Sequence, residues 1–108
     1  MAKGYWVARV TVTNEEDYPE YLKAGAPVYE KYGAKFIVRG GRCQDMEGLN
    51  RMRNVIVEFK DYETALAAYN SPEYQIAKAL RNANADSDVL VVEGFDGWVG
   101  YHPNRGYR

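Results

Sequence analysis

Four runs of β-branched and aromatic residues set the topologies open to this chain: residues 5–12, 34–42, 53–59 and 88–95. Helical patterns separate the first run from the second and the third from the fourth. Only a polar, glycine-containing loop, residues 43–52, separates the middle pair, which makes that pair a hairpin. In residues 5–12, Trp6, Ala8, Val10 and Val12 fall on one side and Tyr5, Val7, Arg9 and Thr11 on the other. The second run sets Phe36 and Val38 against Ile37 and Arg39. The third sets Val55, Val57 and Phe59 against Asn54, Ile56 and Glu58.

Asn14 offers a cap for the first helix, and Glu15, Glu16 and Asp17 favour its positive end. Tyr18, Leu22 and Tyr29, flanked by Tyr21, Val28 and Tyr32, recur at helical spacing up to Gly33, a left-handed terminator. Pro19 and Pro27 interrupt this pattern, and Pro27 is expected to bend or split the helix. Asp61 caps a short helix carrying Leu66 and Tyr69. Ser71-Pro72-Glu73 then combines a hydroxyl cap, Pro at the first helical position and an acid behind it, so another helix runs from Pro72 to about Asn84.

This order fits two split crossovers on a four-stranded antiparallel sheet, the ferredoxin-like βαββαβ arrangement of the α+β class, with the helices on one face. The domain is expected over residues 1–97, with residues 98–108 as a C-terminal tail. The tail's Trp98, Tyr101 and Tyr107 argue for docking on a partner or over a pocket. The other sheet face, carrying Tyr5, Val7, Ile37, Ile56, Val89 and Val91, would be bare, and a partner should cover it.

With 108 residues, 46% hydrophobic and 27% charged, the chain is one globular domain. A net charge of −1 gives no long-range attraction to nucleic acid or anionic membrane. Arg39, Arg42, Arg51 and Arg53 gather in the hairpin while Glu15, Glu16, Asp17 and Glu20 crowd the first helix. That pairing suits contact between subunits better than nucleic acid. Cys43 is the only cysteine, so no intrachain disulfide forms and a reducing cytoplasm is expected. His102 is the only histidine and lies in the tail, which leaves neither a histidine metal cage nor a Ser-His-Asp triad. Asp45, Glu47, Asp86 and Asp88 lack calcium-loop spacing and read as solvated turn residues, so no metal or other cofactor is expected.

Lys31-Tyr32-Gly33, the run from Phe36 to Gly41, the run from Arg53 to Phe59, Tyr69-Asn70-Ser71-Pro72-Glu73-Tyr74, Ala77-Lys78-Ala79-Leu80-Arg81 and the closing Val91-Val92-Glu93-Gly94-Phe95 occur in that order. Together they resemble the family called domain of unknown function 1330, small proteins of the dimeric α+β barrel superfamily. The resemblance covers roughly residues 3–97 and implies a ferredoxin-like subunit whose open sheet face packs on a second copy. It implies no established reaction. Superfamily relatives include cofactor-free monooxygenases, lactone isomerases and haem-dependent peroxidases, and the sole histidine in the tail speaks against the haem route.

Strand parity predicts that Arg9, Arg39, Glu58 and Glu93 share the open face, with signs alternating in the strand order last, first, third, second. Beneath a second subunit such charges must pair, which favours an ion-pair ladder fixing subunit register over a ligand site by about two to one. The functional alternative is a pocket between sheet and helices where Arg39 and Glu58 are the catalytic pair. In it Arg39 holds an acidic group of a small organic acid or aromatic compound and Glu58 relays a proton. Arg9, Tyr69, Ser71 and Tyr74 would bind substrate. For Ser71 the capping role is favoured about four to one, although free N–H groups at that helix start could hold an anion. Gly40-Gly41 lacks phosphate-loop spacing and reads as a bulge or close backbone approach.

Overall fold

A computed structural model of the chain describes residues 2–96. The docking expected of the tail from Trp98 onward lies outside the described residues. The elements follow the βαββαβ order, with a helix pair in the second crossover. They are β1 (Gly4–Val12), α1 (Tyr18–Lys31), β2 (Lys35–Arg39), β3 (Arg53–Phe59), α2 (Tyr62–Asn70), α3 (Pro72–Asn84) and β4 (Ala85–Glu93). The sheet order is β2-β3-β1-β4, antiparallel throughout. The ferredoxin-like expectation therefore holds.

Capping chemistry explains where the helices begin. Asp61 accepts a hydrogen bond from the Thr64 N–H at 2.7 Å and starts α2. Ser71 Oγ accepts from the Tyr74 N–H at 3.2 Å and donates to the Ala68 carbonyl at 2.8 Å, so one hydroxyl closes α2 and opens α3. Ser71→Ala removes both bonds at a buried position. It is expected to cost about 1–2 kcal/mol of unfolding free energy, measured by urea denaturation. Asn14 takes a different place from the one predicted: its side chain accepts from the Asp17 N–H in a turn, and Asp17 is the cap residue before Tyr18. Pro27 neither splits nor ends α1, which runs unbroken from Tyr18 to Lys31.

Trp6 is the hub of the core. Its ring centroid lies 4.7 Å from Tyr74, 5.0 Å from Phe59, 5.4 Å from Tyr69 and 5.9 Å from Tyr29. Its indole N–H donates to the Ala65 carbonyl at 2.7 Å, satisfying the one polar atom this side chain buries.

Two faces differ from the sequence reading. Ladder pairing jumps from Phe36↔Val57 to Val38↔Ile56, leaving Ile37 as the extra residue of a bulge. Because side-chain direction alternates with period two, that one residue moves Arg39, opposite Val55, onto the helix-covered face. In β4, Val89 pairs with Ala8, Val91 with Trp6 and Glu93 with Gly4, so all three belong to the helix side and Leu90 and Val92 to the open side. The run Val89-Leu90-Val91-Val92 is apolar on both parities and cannot by itself choose a face. The choice is made at its start, where α3 passes directly into β4 and the Asn84 carbonyl accepts the N–H groups of Thr13 and Asn14.

The predicted charge ladder consequently does not form. Arg9 and Glu58 stay on the open face but four residues apart along the strands, Arg9 opposite Asn54 and Glu58 opposite Tyr5. Arg9 pairs with Asp45 of the loop that follows β2, and Glu58 lies 3.7 Å from Lys3. The same loop is tied to β4 by the buried Arg51, which reaches Asp88 at 3.2 Å and the Asp86 carbonyl at 2.9 Å. Asp45 of the loop and Asp86 and Asp88 of β4 thus serve as counterions of Arg9 and Arg51 within the subunit.

Candidate functional site

The helix-covered face holds a cavity of about 30 Å³ between the sheet and helices α1 and α3. Alternation puts Trp6, Ala8 and Val10 of β1, Arg53, Val55 and Val57 of β3, and Val89 of β4 on its floor. Helix α1 contributes Tyr18, Tyr21, Leu22 and Tyr29, whose spacing turns them to one side of the helix. Helix α3 contributes Tyr74 and Arg81, two turns apart, and the bulge of β2 delivers Arg39. Three guanidinium groups therefore meet in a wall of phenols and aliphatic side chains.

Arg81 is the least ordinary of them. It is 4% exposed, and among the described residues no carboxylate pairs with it. Its Nη1 donates to the Tyr74 hydroxyl at 2.9 Å and its Nη2 to the Tyr69 hydroxyl at 3.3 Å, while its Nε has no partner among the described residues. A guanidinium is charged at every accessible pH, so this is a buried cation held by neutral phenols. Arg39 stacks on Phe36, with its guanidinium carbon 4.1 Å from the ring centroid. Arg53 stands beside Gly40, whose φ of +68° ends β2. A Cβ at Gly40 would come within 2.6 Å of Arg53 Nη1, so glycine there leaves the guanidinium its position.

The phenols form a connected group. Tyr21 Oη lies 2.7 Å from Tyr74 Oη and 3.1 Å from Tyr29 Oη. Burial, reinforced by the neighbouring Tyr21 phenol, pushes the Tyr18, Tyr29 and Tyr74 hydroxyls up from their ordinary value, so they stay neutral hydrogen-bonding groups. The consequence for stability follows from linkage. The unfolded chain releases these protons near pH 10 while the folded chain retains them, so their contribution is intact below about pH 10 and falls as pH rises beyond it. Tyr74 alone removes about 1.4 kcal/mol per pH unit in that range. Thermal unfolding followed from about pH 8 to pH 11 is expected to show a flat plateau and then a steep decline.

Of the residues selected from sequence, Arg39 and Tyr74 line the cavity, and Tyr69 stands behind Arg81 as its hydrogen-bond acceptor. Ser71 is committed to backbone capping and is not on the cavity wall. Arg9 and Glu58 lie across the sheet from Arg39, so the pairing of Arg39 with Glu58 in one pocket is corrected by the bulge. Arg81, Arg53, Tyr21 and Tyr29 are residues that strand parity did not select. A signal for Arg81 exists: Tyr74, Ala77, Arg81 and Asn84 form the buried stripe of α3, and an arginine inside such a stripe demands an acceptor.

This fold and cleft define a ferredoxin-like α+β protein with a cationic, aromatic site under its helices. The chain belongs to the family described as "Domain of unknown function (DUF1330)", whose profile matches residues 3–95. Among solved structures it is similar to a protein of unknown function from Rhodopseudomonas palustris. The identity is 18% and the TM-score 0.72, covering 88% of this chain and 84% of that one. It is also similar to a dimeric ferredoxin-like protein of unknown function from Jannaschia sp. CCS1, with 16% identity and TM-score 0.64 over 84% and 96% of the two chains. A third is SnoaB, a cofactor-independent oxygenase from Streptomyces nogalater, with 13% identity and TM-score 0.60 over 85% and 92%. At these identities the likeness concerns the fold. No curated protein matches the sequence. No described helix is long and apolar enough to cross a membrane.

Proposed function

We propose that the protein is a homodimer that binds a small organic acid in the cleft of each subunit, with the acid's carboxylate set against Arg39, Arg53 and Arg81. The observation that carries this reading is the buried Arg81, whose charge meets no carboxylate among the described residues and whose Nε is unsatisfied. Burying an unpaired cation costs several kcal/mol, and an incoming carboxylate recovers that energy through charge-assisted hydrogen bonds. The neutral hydroxyls of Tyr29 and Tyr74 add donors for the ligand's remaining oxygen atoms. Among the described residues no carboxylate or histidine lines the cavity, so the site supplies binding and orientation rather than a proton acceptor. SnoaB, a cofactor-independent oxygenase of similar fold, supports a cofactor-free reading of this one.

On this reading the second subunit covers the open face. Leu90 and Val92 of β4 and Ile37 and Val38 of β2 are exposed there, a combination that isolated soluble subunits rarely present on one sheet. The Jannaschia neighbour, described as dimeric, supports this arrangement. Thermal shift with a panel of small carboxylates tests the ligand class: an acid present at a hundred times its dissociation constant should stabilise the fold by about 2.7 kcal/mol. Neutral amides of the same acids should give no shift. Equal stabilisation by acid and amide, or by neither, would refute the reading.

A further inference from the structure

A second chamber of about 340 Å³ adjoins the cationic cavity and shares Tyr18, Leu22 and Arg53 with it. Its remaining wall is Val12 at the end of β1, Glu15 and Pro19 at the start of α1, Gly40, and Met52 before β3. The two spaces differ in chemistry. Arg39 and Arg81 line only the inner one, Glu15 lines only the outer one, Arg53 lines both, and the rest of the outer wall is chiefly aliphatic, from Val12, Pro19, Leu22 and Met52. The inner cavity has room for a head group only, whereas the outer space is a wider groove, more open to solvent.

On the reading that the cleft binds an organic acid, we infer that its ligand class is amphipathic monocarboxylic acids. The carboxylate sits at the inner arginines, and an apolar chain or ring extends past Tyr18 and Leu22 into the outer chamber. Charge fixes the direction of entry. Arg53 is the one guanidinium that reaches the outer chamber, where Glu15 offsets it, whereas a carboxylate carried inward meets Arg39, Arg53 and Arg81 and, among the described residues, no carboxylate. The aliphatic wall then adds hydrophobic burial in proportion to chain length.

The test is an isothermal titration series on the full chain with acetate, butyrate, hexanoate and phenylacetate, plus adipate as the diacid matching hexanoate. Affinity is expected to rise about fourfold per added methylene until the chamber is filled. Adipate is expected to bind more weakly than hexanoate. Leu22→Gln, or Met52→Gln on the exposed loop should the first variant fold poorly, is expected to reduce the gain per methylene. Carboxylates that all bind with equal affinity through Arg81 would overturn this inference and leave the acid-binding reading standing. Adipate binding more tightly than hexanoate would overturn the direction of entry and the inference with it. Failure of every acid to bind would overturn both.

Discussion

Replacing Arg81 by methionine is expected to leave the unliganded protein as stable as the native chain, or more stable, while weakening carboxylate binding at least thirtyfold. The two effects have one cause. The Arg81 guanidinium is buried, its Nε has no partner among the described residues, and it donates to the phenols of Tyr74 and Tyr69. Methionine keeps an unbranched apolar chain on the buried stripe with Tyr74 and Ala77 but removes the unpaired buried charge, whose burial costs several kcal/mol. The orphaned hydroxyls cost little. Tyr74 retains Tyr21 at 2.7 Å, and Tyr69 is only partly buried and can turn to water. For a bound carboxylate the balance reverses, because truncating one partner of a buried, hydrogen-bonded charge pair costs about 2–5 kcal/mol. Chemical denaturation and calorimetric titration of the same preparation read both quantities. A large loss of stability without loss of binding would mean that Arg81 is a structural brace, and the cleft would no longer have a reason to take an anion.

That residue also marks how far the sequence could be read. The order of elements, the hairpin, the strand at Arg53–Phe59 and the caps at Asp61 and Ser71 were all legible, since each rests on local chemistry within a few residues. The faces of β2 and β4 were not. One bulged residue at Ile37 inverts Arg39, and a bulge leaves no mark on a run in which Phe36, Ile37 and Val38 are all apolar. In β4 the parity was hidden by four consecutive aliphatic residues and decided by the direct junction with α3. Glycines at 40 and 41 did announce irregular backbone at the end of β2, three residues from where the bulge lies. The site was half legible for the same reason. Arg39 and Tyr74 were identifiable from type and neighbourhood, while Tyr21, Tyr29, Arg53 and Arg81 converge only once two helices and four strands are packed.

Introducing a charge at Leu90 separates assembly from binding. Leu90 is 53% exposed in the subunit and stands opposite Val7, midway along the edge strand β4 on the uncovered sheet face, so Leu90→Asp disturbs no core contact. In the dimer it would place an aspartate in the apolar contact, two residues from Asp88 on the same face, where the neighbouring Arg9 is already paired with Asp45. A cost of several kcal/mol at each of two symmetric positions raises the dissociation constant by a factor of about a thousand or more. Sedimentation velocity at micromolar concentration is expected to show the native chain as a dimer and the variant as a folded monomer. A native monomer, or a variant dimer of unchanged affinity, would remove the second copy from the open face. Every described residue around the cationic cavity comes from the face beneath the helices of one chain, so the monomeric variant should still bind the carboxylate. Loss of binding together with loss of the dimer would show instead that the cleft depends on its neighbour, a dependence for which the sheet would have to transmit strain from one face to the other.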